Sequence, residues 1–480
     1  MKGGTALKAV SLSLLLTSCG VSEPTGGQPM ITEEDRAFGA QQHPQLLAEF
    51  GGRYAGDESD YVRAVGERIA VAAGVSGECT FTLVNSDVVN AFAVPGCFIY
   101  VTRGLLSVVT SEAELASVLG HEIGHIAARH AQRQEKRSVW RKLGVLAASL
   151  TGSERLTRLA GQAAQYFGLR YSRKQEYEAD DLGITYLRQA KYDVFAATEM
   201  LADLQRQEQF MQKTASRDPA RSVPEWALSH PLTEHRIDRA RDTAQKTGLV
   251  DDALPENTEA YLLALDGLLY GDDPEQGFVI GRRFSHPIMG IEFVAPEGFT
   301  LTNSPQAVRI SGPNGISGEF GGGAIPPGGL KAYAEALAGE LLGRTPAEVG
   351  RAVDTQVNGI RAIIIQIRVA VKDGTVPVSL AVYEGGGGQA YHFVLISPPA
   401  DPNAAEVRAM LQSFRRLAPH EAAALRPRFI RTLRVSASDT REKLVGRMVD
   451  PAPRELFDLL NGGQANQPPR PGELIKIVTF

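Results

Sequence analysis

One pentapeptide constrains this chain of 480 residues more than any other feature: His121-Glu122-Ile123-Gly124-His125. Upstream, Ser111 and Glu114 form the S-x-x-E signature of a helix start. Leu115, Val118, Leu119, Ile123 and Ile126 then recur at helical spacing. The pentapeptide is therefore expected on a helix with apolar flanks. Positions four apart share one helix face, so both imidazoles can reach a single ion. Glu122 stands about 100° round from His121, at the edge of that face, where it can hold a water at a metal. With nine His in 480 residues, H-E-x-x-H is expected by chance only ~0.01 times. A merely polar helix face would not require apolar residues packed round the pair.

A catalytic Zn2+ needs a third protein ligand and an open position. A second helix, expected over about Arg173 to Gln189, offers Ser172-Arg-Lys-Gln-Glu176-Tyr-Glu178-Ala-Asp180. Glu176 and Asp180 are i and i+4 and share a face, whereas Glu178 lies about 200° from Glu176 and is read as unable to join them. Glu176 is assigned as the metal ligand and Asp180 as the acceptor of an imidazole N–H behind it. Taken alone, the run would read as an acidic surface. Between the two helices, Gly144 to Leu169 is rich in small residues and reads either as a helix over a cleft or as a loop.

HEIGH followed about 50 residues later by SRxxExxAD resembles the zinc metallopeptidase family of the CaaX prenyl protease and its secreted bacterial relatives, peptidase family forty-eight of the metallo class. Two more segments resemble that family: Asn90-Ala91-Phe92-Ala93-Val94-Pro95-Gly96 leading into Phe98-Ile-Tyr-Val-Thr, and Ser229-His230-Pro231-Leu232 with Arg236-Ile237. The match spans about residues 30–245. Cys97 departs from the second Gly usual in the family. The resemblance implies one Zn2+ per chain on His121, His125 and Glu176, with Glu122 as general base toward water and the zinc polarising the scissile carbonyl. It implies that Asn90, Ala91, Phe92 and Ala93 form an exposed strand edge on which an extended polypeptide adds as a further strand, read through backbone groups. His230 would approach the metal, either to stabilise the oxyanion or to occupy the open position and keep the enzyme latent. Arg236 belongs to the same segment and would support the site. His130 and His235 read as surface residues or as supports of a ligand, and His286-Pro287 as a coincidental echo.

Hydrophobic residues make up 43% and charged residues 22%, the balance of a soluble globular protein, and the length suggests two or three domains. Lys plus Arg is 50 against Asp plus Glu 55, so a nucleic-acid partner is not expected. No run of 18 apolar residues occurs, which argues against a spanning helix. The start, with Lys2, Lys8 and an apolar stretch from Ala9 to Leu16, reads as a secretory signal. It ends in Leu16-Thr17-Ser18-Cys19, which resembles the bacterial lipobox, whose Cys is acylated. Gly20 after it implies outer-membrane sorting. In an oxidising compartment Cys79 and Cys97, each at the start of an expected strand, could pair; the alternative is two free, half-buried thiols.

The expected organisation is α+β: signal 1–18, tether 19–29, a mainly helical zincin-like peptidase domain with a small sheet over 30–247, an acidic linker 248–277, an α+β domain 278–416 of unassigned role, and a module 428–480. That tail resembles a degenerate LysM, a module that binds peptidoglycan glycan, with Ser438-Asp439-Thr440 in place of Gly-Asp-Thr; a purely structural cap is the alternative. The expected function is a lipid-anchored periplasmic zinc endopeptidase acting on misfolded or stalled envelope proteins. The alternative is an envelope assembly or binding factor with a metal site capped by His230.

Overall fold

The structure is a computed structural model and describes residues 29–135, 171–214, 226, 229–232, 234–371, 374–398, 404–462 and 468–480. The lipobox with Cys19 and the segment 144–169 lie outside them. Among the described residues no helix is long and apolar enough to cross a membrane.

The helical part comprises α1 (Glu33–Glu49), α2 (Asp57–Ala72), β1 (Thr80–Val84), β2 (Ala91–Val94), β3 (Phe98–Thr102), α3 (Arg103–Val108), α4 (Glu112–Ala127), α5 (His130–Glu135), α6 (Arg173–Ala190), α7 (Ala196–Thr214) and α8 (Glu234–Lys246). The sheet order is β1-β3-β2, with β3 parallel to β1 and antiparallel to β2. Among the described residues β2 is an edge of this sheet. α4 is the central element, buried continuously from Glu112 to His125. Ser111 caps it, its Oγ accepting from Glu114 N at 3.1 Å. The Glu114 carboxylate does not return to Ser111; it accepts from the N and Oγ1 of Thr110 at 2.6 and 2.7 Å. Four orphan N–H groups at a helix start need such partners, and here both sides of the cap are supplied locally.

The segment 248–277, acidic enough to read as a linker, is built into this core. It carries α9 (Thr258–Ala264) and β4 (Leu269–Tyr270). Tyr261, Leu262, Leu265 and Leu268 are buried in the same cluster as Leu115 and Leu119 of α4. Asp251, Asp252, Glu259, Asp266 and Glu275 are exposed and hide this short apolar stripe from a composition argument.

The sheet-rich region contains β5 (Phe278–Ile280), β6 (Arg283–His286), β7 (Ile291–Val294), β8 (Thr300–Thr302), β9 (Val308–Ser311), β10 (Ser317–Ala324), α10 (Gly329–Leu342), β11 (Ala347–Val349), β12 (Val353–Val357), β13 (Ile360–Val371), β14 (Gly374–Glu384), β15 (Gln389–Ile396), α11 (Ala404–Ser413) and β16 (Arg415–Arg416). A large antiparallel sheet has the order β11-β13-β14-β15-β10-β9-β8, with β12 also on β13, and a smaller one the order β16-β7-β6-β5. Separate apolar clusters cover the large sheet, one including Phe293, Phe320 and Phe393 and the other Leu330, Ile365 and Leu380. The architecture is α+β, as the sequence pattern predicts.

After α12 (Pro419–Ala424), the tail runs β17 (Arg428–Arg434), α13 (Arg441–Val445), α14 (Pro453–Leu460) and β18 (Leu474–Thr479), the strand–helix–helix–strand order expected from its sequence. β17 pairs antiparallel with β18 on one side and with β4 on the other. Ile430, Leu456, Leu460, Ile475, Ile477 and Val478 belong to the cluster that surrounds α4. The two ends of the chain thus share one core, and the sheet-rich region is inserted between them.

Candidate metal centre

Two helices must come unusually close for side chains on both to meet one ion. Gly124, the small residue inside HEIGH, faces α6: a Cβ there would lie 2.9 Å from Ala179 O. Across the interface a Cβ on Gly183 would lie 3.2 Å from His121 N. Backbone-to-backbone approach at these points leaves no room for a methyl group, so glycine sets the helix separation. α6 itself starts in a full capping box, Ser172 Oγ accepting from Gln175 N and the Gln175 side chain accepting from Ser172 N.

The resulting geometry brings His121, His125, Glu176 and His230 together, all buried, with candidate ligand atoms within 4.8 Å of one another. His121 Nε2 lies 2.9 Å from His125 Nε2 and 3.2 Å from His230 Nδ1. Glu176 oxygens lie 3.6, 3.5 and 3.2 Å from His121 Nε2, His125 Nε2 and His230 Nδ1. Tetrahedral zinc with bonds of about 2.0–2.1 Å places its ligands about 3.3 Å apart, so the donor set fits such an ion. The outer nitrogens strengthen the case. His121 Nδ1 is 2.9 Å from Asp180 Oδ1, and His125 Nδ1 is 2.7 Å from His130 Nδ1. With each Nδ1 taken up by an outward partner, the two Nε2 atoms face each other 2.9 Å apart inside a buried site, an arrangement that suits a shared cation.

Asp180 also accepts from Arg236 Nε and Nη2, each at 2.8 Å, while Arg236 Nη1 lies 2.7 Å from Glu176 Oε2. One buried guanidinium therefore orients both carboxylates. Burial alone would raise Asp180 and Glu176, but Arg236 outweighs it at Asp180, and His230 with Arg236 outweighs it at Glu176, so both remain below the ordinary carboxylate range. Burial, helped by the neighbouring imidazoles, pushes His125 well below the usual histidine value and keeps it a neutral donor. At Glu122 burial prevails over the attraction of His230 and His121, and its carboxyl is raised. Glu122 Oε1 is buried without a hydrogen-bond partner among the described residues, 3.6 Å from His230 Nε2. A carboxylate with a raised pKa and a free oxygen is equipped to accept a proton from water.

His230 is stacked on Trp226, with ring centroids 4.4 Å apart, and Tyr171 stacks on His125 at 3.9 Å. Neither aromatic residue belongs to a motif singled out in the sequence. Glu178, read as excluded, meets the site indirectly: His130 Nε2 is 3.3 Å from Glu178 Oε2, and the same ring touches His125. His130 is completely buried, which excludes the surface reading for it. His235 is exposed, and His286 lies in the smaller sheet of the sheet-rich region, far along the chain from the site.

Ala91, Phe92 and Ala93 lie in β2, which among the described residues pairs with β3 alone, Ala91 and Ala93 being buried. Asn90 precedes it, with its Oδ1 buried and without a partner among the described residues. The turn from β2 to β3 places Gly96 at φ 88 and Cys97 at φ 60, the left-handed region where a Gly would be at ease. A Cβ on Gly96 would lie 2.6 Å from Asp35 O. Cys97 is joined to Cys79 in a disulfide, with Cα atoms 4.6 Å apart.

A pair of imidazoles on one helix, a carboxylate on the next and a free buried Glu beside them define an HExxH metallopeptidase type of site. Residues 57–244 match the sequence profile of Peptidase family M48, and the chain carries a domain of that family. The chain is 30% identical over 243 residues to the Beta-barrel assembly-enhancing protease of Yersinia pestis, covering 48% of each protein. It is 38% identical over 120 residues to Mitochondrial metalloendopeptidase OMA1 of Arabidopsis thaliana, covering 25% of this chain and 24% of that one. It is 23% identical over 269 residues to Metalloprotease LoiP of Escherichia coli K12, covering 52% of this chain and all of the other. The chain thus spans about half the length, or less, of the first two of these relatives.

Proposed function

We propose that the chain is a zinc-dependent endopeptidase of the bacterial envelope. The observation that carries the reading is the convergence of His121, His125 and Glu176 on one point with Glu122 Oε1 free beside it. Zn2+ bound there would supply Lewis acidity toward a peptide carbonyl and make water easier to deprotonate. Glu122 takes the proton from water and returns it to the leaving amine. Asp180 fixes the His121 ring through Nδ1, and Arg236 fixes Asp180 and Glu176 together. The free edge of β2 offers main-chain N–H and C=O groups to an extended polypeptide, so selection by unfolded conformation rather than by sequence follows.

Three features support an envelope setting: the signal and lipobox-like Cys19, the Cys79–Cys97 disulfide, which is stable in oxidising compartments, and the similarity to a protein named Beta-barrel assembly-enhancing protease. The substrates proposed are misfolded or stalled envelope proteins, the anchor is a lipid in the outer membrane, and the tail is a glycan-contacting LysM-like module. Zinc analysis and casein cleavage by wild type beside Glu122→Gln test the enzyme. The variant is expected to keep one zinc per chain and lose cleavage; retained cleavage rejects Glu122 as the base.

A second reading is favoured by the position of His230, whose Nδ1 lies as close to Glu176 as to His121, 3.2 Å from each. A fourth protein ligand closes the position that a substrate needs. On this reading the chain is a latent protease or an envelope assembly factor. His230→Ala is then expected to gain casein cleavage; loss of cleavage instead assigns His230 to oxyanion stabilisation.

A further inference from the structure

α4 ends at Ala127, and Arg129 then takes the left-handed φ of 51°. This reversal folds His130 back beneath the last turn of the helix, where its ring is fully buried. Its Nδ1 lies 2.7 Å from His125 Nδ1 and its Nε2 lies 3.3 Å from Glu178 Oε2. Arg133 Nη2 holds the same Glu178 oxygen at 3.0 Å from the solvent side. We propose that His130 and Glu178 form a relay that positions His125 and strengthens its hold on zinc, a role that rests on the metallopeptidase reading.

The hydrogen arrangement has one direction. His125 turns Nε2 toward the other ligands, so its Nδ1 carries the hydrogen. That hydrogen is donated to His130 Nδ1, which must therefore be bare. His130 then carries its own hydrogen on Nε2 and donates it to the Glu178 carboxylate. Both bonds orient a ring, and both push electron density toward His125 Nε2, making it a better donor to a cation. His121 obtains the same support in one step from Asp180, 2.9 Å from its Nδ1. The two ligands on one helix are thus backed from opposite sides of α6 by residues 178 and 180. Glu178 lies off the ligand face of the helix, and the imidazole of His130 spans the difference. Glu178 and His130 are positioning residues, since His130 meets His125 only at its outer nitrogen and Glu178 acts through His130.

The test is the zinc dissociation constant of the full chain by chelator competition, for wild type, His130→Phe, Glu178→Gln and the double variant. His130→Phe keeps a flat aromatic ring and removes the nitrogens, and it is expected to weaken zinc about 10- to 100-fold. Glu178→Gln is expected to weaken it by a smaller factor without moving the melting temperature of the zinc-free chain, because its side chain is 41% exposed. In the cobalt-substituted protein it should shift the visible absorption bands. The double variant should bind no more weakly than His130→Phe, because the carboxylate acts only through the ring. Additive losses overturn the relay, as does unchanged affinity in both single variants. Should His130→Phe not fold, unchanged affinity and an unchanged cobalt spectrum in Glu178→Gln overturn it alone. Wild type that binds no zinc overturns the metallopeptidase reading and the relay with it, whereas tight zinc in wild type and in both single variants overturns the relay only.

Discussion

Lys476 Nζ, from β18, donates to the carbonyl oxygens of Ser107 at 2.7 Å and Val109 at 2.8 Å, at the end of α3 just before α4 begins. The ammonium is completely buried, so the tail is fastened to the α4 core by a group that cannot be hydrated in place. Burial lowers its pKa, an effect that the nearby Glu114 opposes. Replacing it with Met keeps much of the packing but leaves these carbonyls unpaired, at a cost of about 1–3 kcal/mol for each buried group. Lys476→Met is expected to lower the urea midpoint of the whole α4 core; a midpoint equal to wild type would show that the contact is dispensable.

Arg236 neutralises two buried carboxylates at once. Arg236→Met should destabilise the zinc-free chain by about 3–5 kcal/mol, because the two buried carboxylates would keep only imidazole partners. Denaturation in urea of the zinc-free variant beside wild type measures this, and added zinc should recover part of the loss.

Gly124 marks the closest approach of α4 and α6. Gly124→Ala places a methyl against Ala179 O, which is backbone and cannot swing aside. The helices must separate by a few tenths of an ångström, at a cost of about 1–3 kcal/mol. Because His121, His125 and Glu176 are on those helices, zinc affinity should fall with stability. Calorimetric melting with and without zinc separates the two effects.

Glu199 of α7 sits among Glu256, Glu114, Asp251 and Asp193, and burial, then these acids, push its carboxyl up to about 8. In the folded state it keeps a proton that the unfolded chain has already released above pH 4.5. Folding therefore binds protons between pH 4.5 and 8, and stability falls as pH rises across that window. Glu199→Gln should remove the slope, leaving stability unchanged near pH 4.5 and raising it by about 1 kcal/mol at pH 8 once solvent screening is allowed for. Melting temperatures at the two pH values provide the check, with an equal shift at both as the contrary result.

The Cys79–Cys97 disulfide closes a loop of 18 residues and ties the start of β1 to the β2–β3 turn. A loop of that length is worth about 3 kcal/mol on the chain-entropy scale. Reduction should lower the melting temperature, and alkylation should add mass only after reductant. Labelling of both thiols in the untreated protein would rule the bond out.

The helix that carries HEIGH was legible because its signals are local. Ser111 caps α4, the apolar residues recur with its turn, and the two His are one turn apart. Glu176 and Asp180 were legible for the same reason, since helical spacing alone assigns them a common face. The partnership of Glu178 was not legible. Angular position on one helix excludes direct contact with the ion, but it cannot anticipate a ring from α5 reaching round to meet it. The segment 248–277 misled by composition, because a few buried apolar residues decide packing while numerous exposed acids decide the average.

By itself the sequence determined the candidate ligand set, the helices that carry it and the α+β alternation of the regions, since each depends on residues a few positions apart. Only the tertiary structure decided what stands behind those ligands. Arg236 locks Asp180 and Glu176, His130 links His125 to Glu178, and β18 pins the approach to α4. These contacts join segments up to 369 residues apart, and desolvation and close approach, which settle their energies, exist only once the chain has folded.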